Sequence, residues 1–389
     1  MLNRAVAVEE QFITRVSTGR LVLSSARAGR SLPFSKQQLM QLFDSQVKSR
    51  LLDVLARTLK EKGQSFYTIG SSGHEGNAVL GQVFAHTDMA FLHYRSGAFF
   101  IERAKQCPPM DGVHDILLSL MACREDKISG GRHKVFGSVA LNIPPQTSTI
   151  ASHLAKALGT AISLRRAKEL GIASTLKHDS VVLCSFGDAS LNHATAQTTL
   201  NACGWLAAND CPLPIVFICE DNGTGISVKT PSDWVKNSVQ DRPGLNYVEA
   251  DGLDVVDCYH AAKKAQYIAR EKRQAVFLHM RCVRLMGHAG SDIESQYLTL
   301  EEIERQEARD PLLITAAYLV HYGVLTKEEI VNFYQNTKAS LKHQAELCVL
   351  KPRLSTKEEV MHSLISTAAP QPSQPLPTDK QRQALFGAK

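Results

Sequence analysis

The chain has 389 residues, of which 44% are hydrophobic and 21% are charged. These values are typical of a soluble globular protein with a sizeable core. The net charge is +6, but the basic residues are dispersed and no run of five occurs, so a general nucleic-acid surface is not predicted. No stretch of the sequence approaches the roughly 20 apolar residues of a membrane span, so no membrane partner is predicted either.

Nine cysteines are present without any C-x-x-C pair. Several of them stand within apolar runs, where a free cysteine packs as a small hydrophobic residue. We therefore expect reduced thiols and a cytoplasmic location, in preference to disulfides or a cysteine metal site.

The first 34 residues predict an ordered N-terminal arm. Glu9 and Glu10 stand where a signal peptide would need an apolar core. Residues 14–31 are rich in Arg and Ser and lack acids, as a transit peptide can be, but the upstream glutamates favour the arm. We expect residues 35–367 to form one globular domain, and the Pro- and Gln-rich residues 368–389 to form a linker or disordered tail.

The first half of the domain predicts mostly helices. Ser35 is a candidate N-cap for a helix of about 25 residues. A Gly- and Ser-rich turn, 70–76, precedes a small-residue helix; such turns usually punctuate structure, but a backbone close to a ligand is a second interpretation. The remaining predicted elements are the helix over 78–84, a short strand at 91–97 that ends in a polar cluster, an irregular loop at 124–147 and a helix over 148–164.

Two apolar runs, 181–186 and 214–219, flank a helix-length segment and predict a βαβ unit with buried parallel strands. Further strands are predicted near 248–252 and over 275–283. Further helices are predicted over 254–270, 299–305, 311–322, 326–346 and 356–366. The pattern predicts an α/β fold with a mostly parallel central sheet flanked by helices, and with helical N- and C-terminal extensions.

Each strand of the βαβ unit is followed by a polar side chain, Asp188 after the first and Asn222 after the second. Open α/β sheets bind ligands at this edge, and Mg²⁺ takes oxygen ligands from carboxylates, carbonyls and phosphates. The sequence therefore predicts a cation site that holds a phosphate, with a backbone carbonyl of the 223–225 turn as a further ligand. The alternative is that Asp188 only caps the following helix.

Gly187-Asp188, followed about thirty residues later by Asp221-Asn222, resembles the thiamine diphosphate signature Gly-Asp-Gly … Asn-Asn. More closely, residues 186–189 and 217–227 resemble the alpha subunits of the thiamine diphosphate-dependent 2-oxo acid dehydrogenases. Ala189 replaces the second glycine of the signature and Asp221 its first asparagine, and neither change removes a ligand. The resemblance implies a thiamine diphosphate-binding fold, with Mg²⁺ held by the Asp188 and Asn222 side chains and the Thr224 carbonyl.

Three further matches extend the implied site. Tyr94-Arg95 resembles the family's Tyr-Arg pair, in which Arg95 would clamp the diphosphate. The 287–292 loop resembles Gly-His-x-x-Ser-Asp, and implies that His288 acts as a proton carrier with a near-neutral pKa or as an oxyanion partner. Residues 148–151 resemble the segment that packs against the aminopyrimidine ring. The implied cofactor-binding residues are Tyr94, Arg95, Ser148, Ile150, Gly187, Asp188, Ala189, Asn222, Thr224, Ile226 and His288.

The resemblance also implies an activity and partners. Residues 65–67 resemble the branched-chain enzymes, which makes Phe66 and Tyr67 substrate contacts and a 2-oxoisovalerate-type acid the substrate. The implied reaction is oxidative decarboxylation, with acyl transfer to the lipoyl group of an acyltransferase partner. In this family a glutamate of the beta subunit activates the cofactor, and no counterpart is found here. A beta subunit, separate or fused C-terminally, is therefore implied, in an assembly that is usually a heterotetramer.

Other functions remain open at this point. A pyruvate or acetoin dehydrogenase alpha subunit is the enzymatic alternative, and a non-catalytic scaffold with the same fold is an alternative of another class. A nucleotide-binding α/β enzyme is not supported, because the sequence has neither a G-x-G-x-x-G motif after a strand nor a G-x-x-x-x-G-K-[ST] loop.

Overall fold

The structure is a computed structural model that describes residues 4–171, 176–365 and 378–379. By compactness the chain divides into a large unit, residues 1–353, and a small unit, residues 354–389. Among the described residues, no helix combines the length and the hydropathy that crossing a bilayer requires.

The large unit contains a central sheet of five parallel strands and a separate antiparallel pair of strands. In chain order the strands are β1 Ala90–Phe91, β2 Phe136–Ser138, β3 Ile143–Gln146, β4 Val182–Gly187, β5 Ile215–Asp221, β6 Asn246–Asp251 and β7 Val276–Arg281. The central order is β1-β4-β5-β7-β6, and β2 pairs with β3. The predicted βαβ unit is confirmed as β4, the helix after it and β5.

The described residues also form helices, all but the last of which lie in the large unit. They are α1 Arg4–Ser17, α2 Ser25–Ala28, α3 Lys36–Glu61, α4 Ala78–Val83, α5 Gly97–Ala104, α6 Gly112–Leu120, α7 Leu154–Glu169, α8 Ala194–Ala208, α9 Trp234–Val239, α10 Val255–Arg270, α11 Leu300–Glu307, α12 Pro311–His321, α13 Lys327–Val349 and α14 Lys357–Met361. In the described part of the small unit, α14 continues into a 3₁₀ turn, His362–Leu364. The α/β fold class with a mostly parallel, helix-flanked sheet is confirmed.

The sheet separates two hydrophobic cores because consecutive strand residues point to opposite faces. On β4 and β5, Leu183 and Val216 join the core formed with α3, α4, α5 and α10. Phe186 and Phe217 join the core formed with α7, α8 and α9. Covering both faces explains why the strands are continuous apolar runs rather than alternating ones.

Most predicted elements are found, with three differences. Ser35 caps α3 as predicted, with a reciprocal hydrogen bond to Gln38. The helix predicted from residue 148 begins only at Leu154, because the chain turns through Ala151 at φ 58°. The loop predicted at 124–147 contains β2 and β3, and the strand predicted at 91–97 is shorter and starts earlier, as β1.

The N-terminal arm packs through one face of α1 into the core of the large unit. Ala5, Val8, Phe12 and Val16 are buried there, at helical spacing. The predicted domain boundaries after residues 34 and 367 stay predictions. The predicted linker or tail, 368–389, lies outside the described residues except for 378–379.

Candidate active site

Segments that follow β1, β4, β5 and β7 meet at one cleft, at the carboxyl edge of the central sheet. Parallel strands bring such segments to the same edge, which is where ligands of open α/β sheets bind. The cleft is small and partly open to solvent. It is lined by His93, Tyr94, Arg95, Ile150, Gly187, Asp188, Ala189, Ser190, Asn222, Thr224, Gly225, Ile226, Arg284 and His288.

The cleft brings together ten of the eleven cofactor contacts predicted from the sequence. The exception is Ser148, which does not line it although Ile150 does. These residues come from segments that are far apart in the chain, so their common position is a result of the fold. Their contacts with a cofactor stay predictions.

The side chains of the two predicted substrate residues, Phe66 and Tyr67, have different surroundings. Tyr67 lines a second cavity, and Tyr94 lines both this cavity and the cleft. Phe66 is 64% exposed, and its ring lies under the Arg353 guanidinium, 5.7 Å from its central carbon. Both substrate contacts stay predictions, and the structure gives only Tyr67 a position next to the cleft.

Asp188 lies directly after β4, at the start of a short 3₁₀ turn, Asp188–Asn192. The residue is 2% exposed and accepts a hydrogen bond from the Thr230 hydroxyl. Burial raises the pKa of Asp188 to about 6, against the effect of the Thr230 hydrogen bond. The alternative that Asp188 caps the next helix is wrong, because the His193 side chain caps α8.

Arg95 is buried in the cleft, and its guanidinium forms hydrogen bonds with two loops. Its Nη1 donates to the Gly70 carbonyl at 2.5 Å, and its Nη2 contacts His288 at Nδ1 (3.1 Å) and at the carbonyl oxygen (3.3 Å). Asp53 holds the Gly70 loop in shape by accepting the backbone N–H of Ser71 at 2.6 Å. The Gly- and Ser-rich turn therefore contributes a carbonyl to the site.

The contact with Arg95 determines which nitrogen of the His288 ring carries the proton. A guanidinium only donates hydrogen bonds, so the Arg95 contact makes Nδ1 of the neutral ring an acceptor and places its proton on Nε2. The pKa of His288 is lowered to about 4, first by burial and then by the positive charges of Arg95 and Arg284. The expectation of a near-neutral pKa is corrected, and of the two predicted roles the geometry favours hydrogen-bond donation to an oxyanion.

Asn222 lies one residue beyond β5, with both ends of its side-chain amide engaged. Its Oδ1 accepts the backbone N–H of Thr224 at 3.1 Å, and its Nδ2 lies 3.0 Å from Nε2 of His74. His74 in turn contacts Glu220 through Nδ1 at 2.6 Å. Burial alone would raise the pKa of Glu220, but hydrogen bonds, the one from His74 first, hold it at about 2.

Sequence reasoning missed several residues of the site. Arg284 is 5% exposed and donates to the Gly225 carbonyl at 2.9 Å and to the Tyr297 hydroxyl at 2.7 Å, which ties the loops after β5 and β7 together. His93 lines the cleft, with its Nδ1 3.5 Å from Oε2 of Glu220. The sequence offered one signal for both residues. His93 directly precedes the Tyr94-Arg95 pair, and Arg284 lies three residues before the 287–292 loop.

The residues of the cleft fit a diphosphate bound together with a divalent cation. Arg95 is a buried guanidinium that has no carboxylate within ion-pair distance in the part of the chain that the structure describes. Asp188 is a buried carboxylate without a cationic side chain within that distance, over the same residues. Because an unpaired buried charge is unfavourable, each residue gains from a ligand of opposite sign.

A parallel α/β sheet binds ligands at the carboxyl ends of its strands, and the unpaired guanidinium and carboxylate at this edge suit a phosphorylated ligand that carries a cation. The family comparison identifies which class of enzyme this is. The chain belongs to the dehydrogenase E1 component family, whose model matches residues 43–356. It is therefore an oxidoreductase of the thiamine diphosphate-dependent 2-oxo acid dehydrogenase class.

The chain is similar to several alpha subunits. It is 26% identical over 312 residues to a 2-oxoisovalerate dehydrogenase subunit alpha of Bacillus subtilis, with 78% of this chain and 88% of that protein covered. It is 23% identical to the mitochondrial 2-oxoisovalerate dehydrogenase alpha subunits of Dictyostelium discoideum and Homo sapiens, over 322 and 325 residues. Those matches cover 79% and 82% of this chain, and 68% of each relative. An alpha subunit of this class works with a beta subunit and an acyltransferase core.

Proposed function

We propose that this chain is the cofactor-anchoring alpha subunit, or alpha half, of a branched-chain 2-oxo acid dehydrogenase. The observation that carries the proposal is the pair of opposite, unpaired charges in one cleft, Arg95 and Asp188. Arg95 suits the diphosphate because a guanidinium can donate two parallel hydrogen bonds to phosphate oxygens. Asp188 suits the cation that such a diphosphate carries.

Mg²⁺ is the cation that the ligand set favours. Asp188 and Asn222 would provide side-chain oxygens and Thr224 its backbone carbonyl, with diphosphate oxygens and water completing the six oxygen ligands that Mg²⁺ takes. No thiolate or imidazole of the chain belongs to this set, which favours a hard cation over a softer one. The raised pKa of Asp188 reflects a carboxylate that a bound cation would keep ionised.

When bound, thiamine diphosphate supplies the carbanion chemistry of decarboxylation. The chain's own residues bind and orient. Ile150 offers an apolar contact to the cofactor's aminopyrimidine ring, and Arg95 holds the diphosphate. His288, neutral and carrying its proton on Nε2, can donate a hydrogen bond to a developing oxyanion at the reacting centre.

The cavity behind Tyr94 supports a substrate with a branched aliphatic chain. Its wall is largely apolar, with Leu52, Ile69 and Ile116 among the lining residues. The Tyr67 hydroxyl lies in the same cavity and has no hydrogen-bond partner among the described residues. An apolar cavity next to the cofactor cleft suits the side chain of 2-oxoisovalerate better than the methyl group of pyruvate.

The partners follow from the class of enzyme. A beta subunit, separate or fused, would supply the glutamate that activates the cofactor, in a heterotetramer of two alpha and two beta parts. A lipoyl-bearing acyltransferase core would accept the acyl group. We propose a cytoplasmic location, on the basis of the free cysteines.

Calorimetric titration of thiamine diphosphate into the chain together with its beta subunit tests the proposal. We expect binding that requires Mg²⁺ and that Asp188→Asn weakens strongly. Asp44→Asn is the matched control, because Asp44 pairs with Lys48 and Lys105 away from the cleft. Absence of binding by the wild-type assembly in the presence of Mg²⁺ would refute the proposed function.

A further inference from the structure

A buried chain of hydrogen bonds leads from the interior of the large unit to Asn222. Glu220 and His74 are both 0% exposed and are joined at 2.6 Å, from Nδ1 to Oε2. His74 Nε2 lies 3.0 Å from the Asn222 side-chain nitrogen. The other oxygen of Glu220 accepts the side-chain N–H of Asn77 at 3.3 Å. His74 and Asn222, which are 148 positions apart in the chain, are thus in direct contact, and His74 links Asn222 to Glu220.

The partners assign each proton in this chain of bonds. The Asn222 amide turns its nitrogen, which only donates, towards His74, so the proton of the His74 ring lies on Nδ1, facing Glu220. Nε2 is then the acceptor, and it receives a hydrogen bond from the amide nitrogen of Asn222. This contact and the Thr224 backbone N–H, which Oδ1 accepts at 3.1 Å, both orient the Asn222 amide with its nitrogen towards His74 and its oxygen on the other side.

We propose that His74 and Glu220 are positioning residues for the cation of the cofactor, which act by holding the Asn222 amide with its oxygen towards the cation. This inference rests on the proposed function, because it needs a divalent cation beside Asn222. Residues that orient metal ligands in this way typically change metal affinity by 10- to 100-fold when they are removed. Neither residue was among the candidates from the sequence.

The same group of residues also reaches the diphosphate side of the cleft. The Asn77 amide donates to the backbone carbonyl of Arg95 at 3.2 Å as well as to Glu220. The Asn77 Oδ1 accepts the backbone N–H of Phe99, so this amide too has one orientation. Glu220 therefore connects the segment that carries the guanidinium with the one that carries the cation ligand.

A different role for these residues would be a metal site of their own. The ligand atoms of His74, His93 and Glu220 all lie within 4.8 Å of one another. Both nitrogens of His74 are already engaged, however, by Glu220 and by Asn222. A metal ion on His74 would have to break one of these hydrogen bonds, which favours the positioning role.

The test measures the affinity for Mn²⁺, as a paramagnetic substitute for Mg²⁺, by electron paramagnetic resonance on the alpha–beta assembly at saturating thiamine diphosphate. We expect His74→Leu to weaken Mn²⁺ binding 10- to 100-fold. His74→Gln, which keeps one donor and one acceptor, should recover most of the affinity. Glu220→Gln keeps the side-chain volume but removes the charged acceptor, and it should weaken Mn²⁺ binding by roughly tenfold. This variant replaces His74→Leu in the test if His74→Leu does not fold.

His153→Leu is the matched control. His153 is likewise buried, at 3% exposed, and its two ring nitrogens are engaged, by the Ser185 carbonyl at 2.7 Å and by Gln146 at 3.1 Å, but it does not contact Asn222. We expect the unfolding temperatures of the cofactor-free His74→Leu and His153→Leu proteins to fall together, while the Mn²⁺ affinity of the control stays within threefold of wild type.

The contrary outcomes are distinct. Equal Mn²⁺ affinities of His74→Leu, Glu220→Gln and wild type would overturn the positioning role alone. A second equivalent of bound metal that is lost in His74→Leu would overturn it in favour of a separate metal site. Failure of the wild-type assembly to bind Mn²⁺ with thiamine diphosphate would refute the proposed function and this inference together.

Discussion

Replacing Arg95 with lysine separates the charge of this residue from its geometry. In the structure its guanidinium contacts two loops at once, through Nη1 to the Gly70 carbonyl and through Nη2 to His288. A lysine ammonium keeps the positive charge but is a single point, so it can satisfy one of these directions and not both. Arg95→Lys should therefore loosen the cleft without removing its positive charge.

The expected magnitude follows from the lost contact. An ammonium also cannot reproduce the two parallel hydrogen bonds that the guanidinium would donate to the diphosphate. A hydrogen bond that involves a charged group contributes about 1.5–3 kcal/mol, so losing one should weaken thiamine diphosphate binding roughly 10- to 150-fold. Where the ammonium keeps the contact with the Gly70 carbonyl, Nδ1 of His288 loses its donor. The ring is then no longer held with its proton on Nε2, so turnover should fall by more than the loss of binding accounts for.

The assay is calorimetric titration of thiamine diphosphate at fixed Mg²⁺, with turnover measured at saturating cofactor. Arg281→Lys is the control, because Arg281 pairs with Glu249 and Asp233 at the surface and does not line the cleft. We expect the control to bind the cofactor as wild type does. An Arg95→Lys protein whose affinity stays within threefold of wild type would refute the proposed role of Arg95 in holding the diphosphate.

Three further changes test other parts of the structure. Gly73→Ala should lower the free energy of unfolding by about 2–5 kcal/mol, because φ is +98° at this position and a Cβ would lie 2.1 Å from the Val283 carbonyl; denaturant unfolding measures this. Burial lowers the pKa of His93 and of His153 to about 4, against 6.5 in an unfolded chain, so the unfolded state takes up protons first as the pH falls. The free energy of unfolding should then decrease between about pH 6.5 and pH 4, by up to about 3 kcal/mol for each histidine, and a His153→Phe variant should show a flatter pH profile. Ile116→Phe should fill part of the cavity beside Tyr94, and lower kcat/KM for 2-oxoisovalerate at least about tenfold relative to pyruvate.

Each of these has an outcome that contradicts it. Unchanged unfolding of Gly73→Ala would mean that the turn can move away from the 283–285 segment. A pH profile of stability that is flat between pH 6.5 and pH 4 would show that the buried histidines are protonated in the folded state. An unchanged substrate preference in Ile116→Phe would place the substrate side chain outside the cavity.

Local patterns were enough to predict the elements that carry the site. The apolar runs that became β4 and β5, and the Ser35 cap of α3, each depend on residues close together in the chain. The polar residues after the strands were predicted to meet because parallel strands end at one edge, and Asp188 and Asn222 both line the cleft. The extent of α7 was not predictable, because the turn at Ala151 has no strong local signal.

The pairings between distant residues could not be read from the sequence. His74 lies in a Gly- and Ser-rich turn and Glu220 lies in an apolar strand, and nothing local indicates that they share a hydrogen bond. The pKa of His288 depends in the same way on burial and on charges from other segments, which is why a near-neutral value was the wrong expectation. Burial and long-range contacts, rather than motif identity, decide the chemistry of such groups.

Turnover of 2-oxo acids by the chain assembled with its beta subunit and a lipoyl-bearing acyltransferase is the most direct test of the proposed function. The substrates to compare are 2-oxoisovalerate, pyruvate and acetoin, each with and without thiamine diphosphate and Mg²⁺. We expect turnover that depends on the cofactor and on the beta subunit, with the highest kcat/KM for 2-oxoisovalerate. Absence of cofactor-dependent turnover with all three compounds would contradict the account.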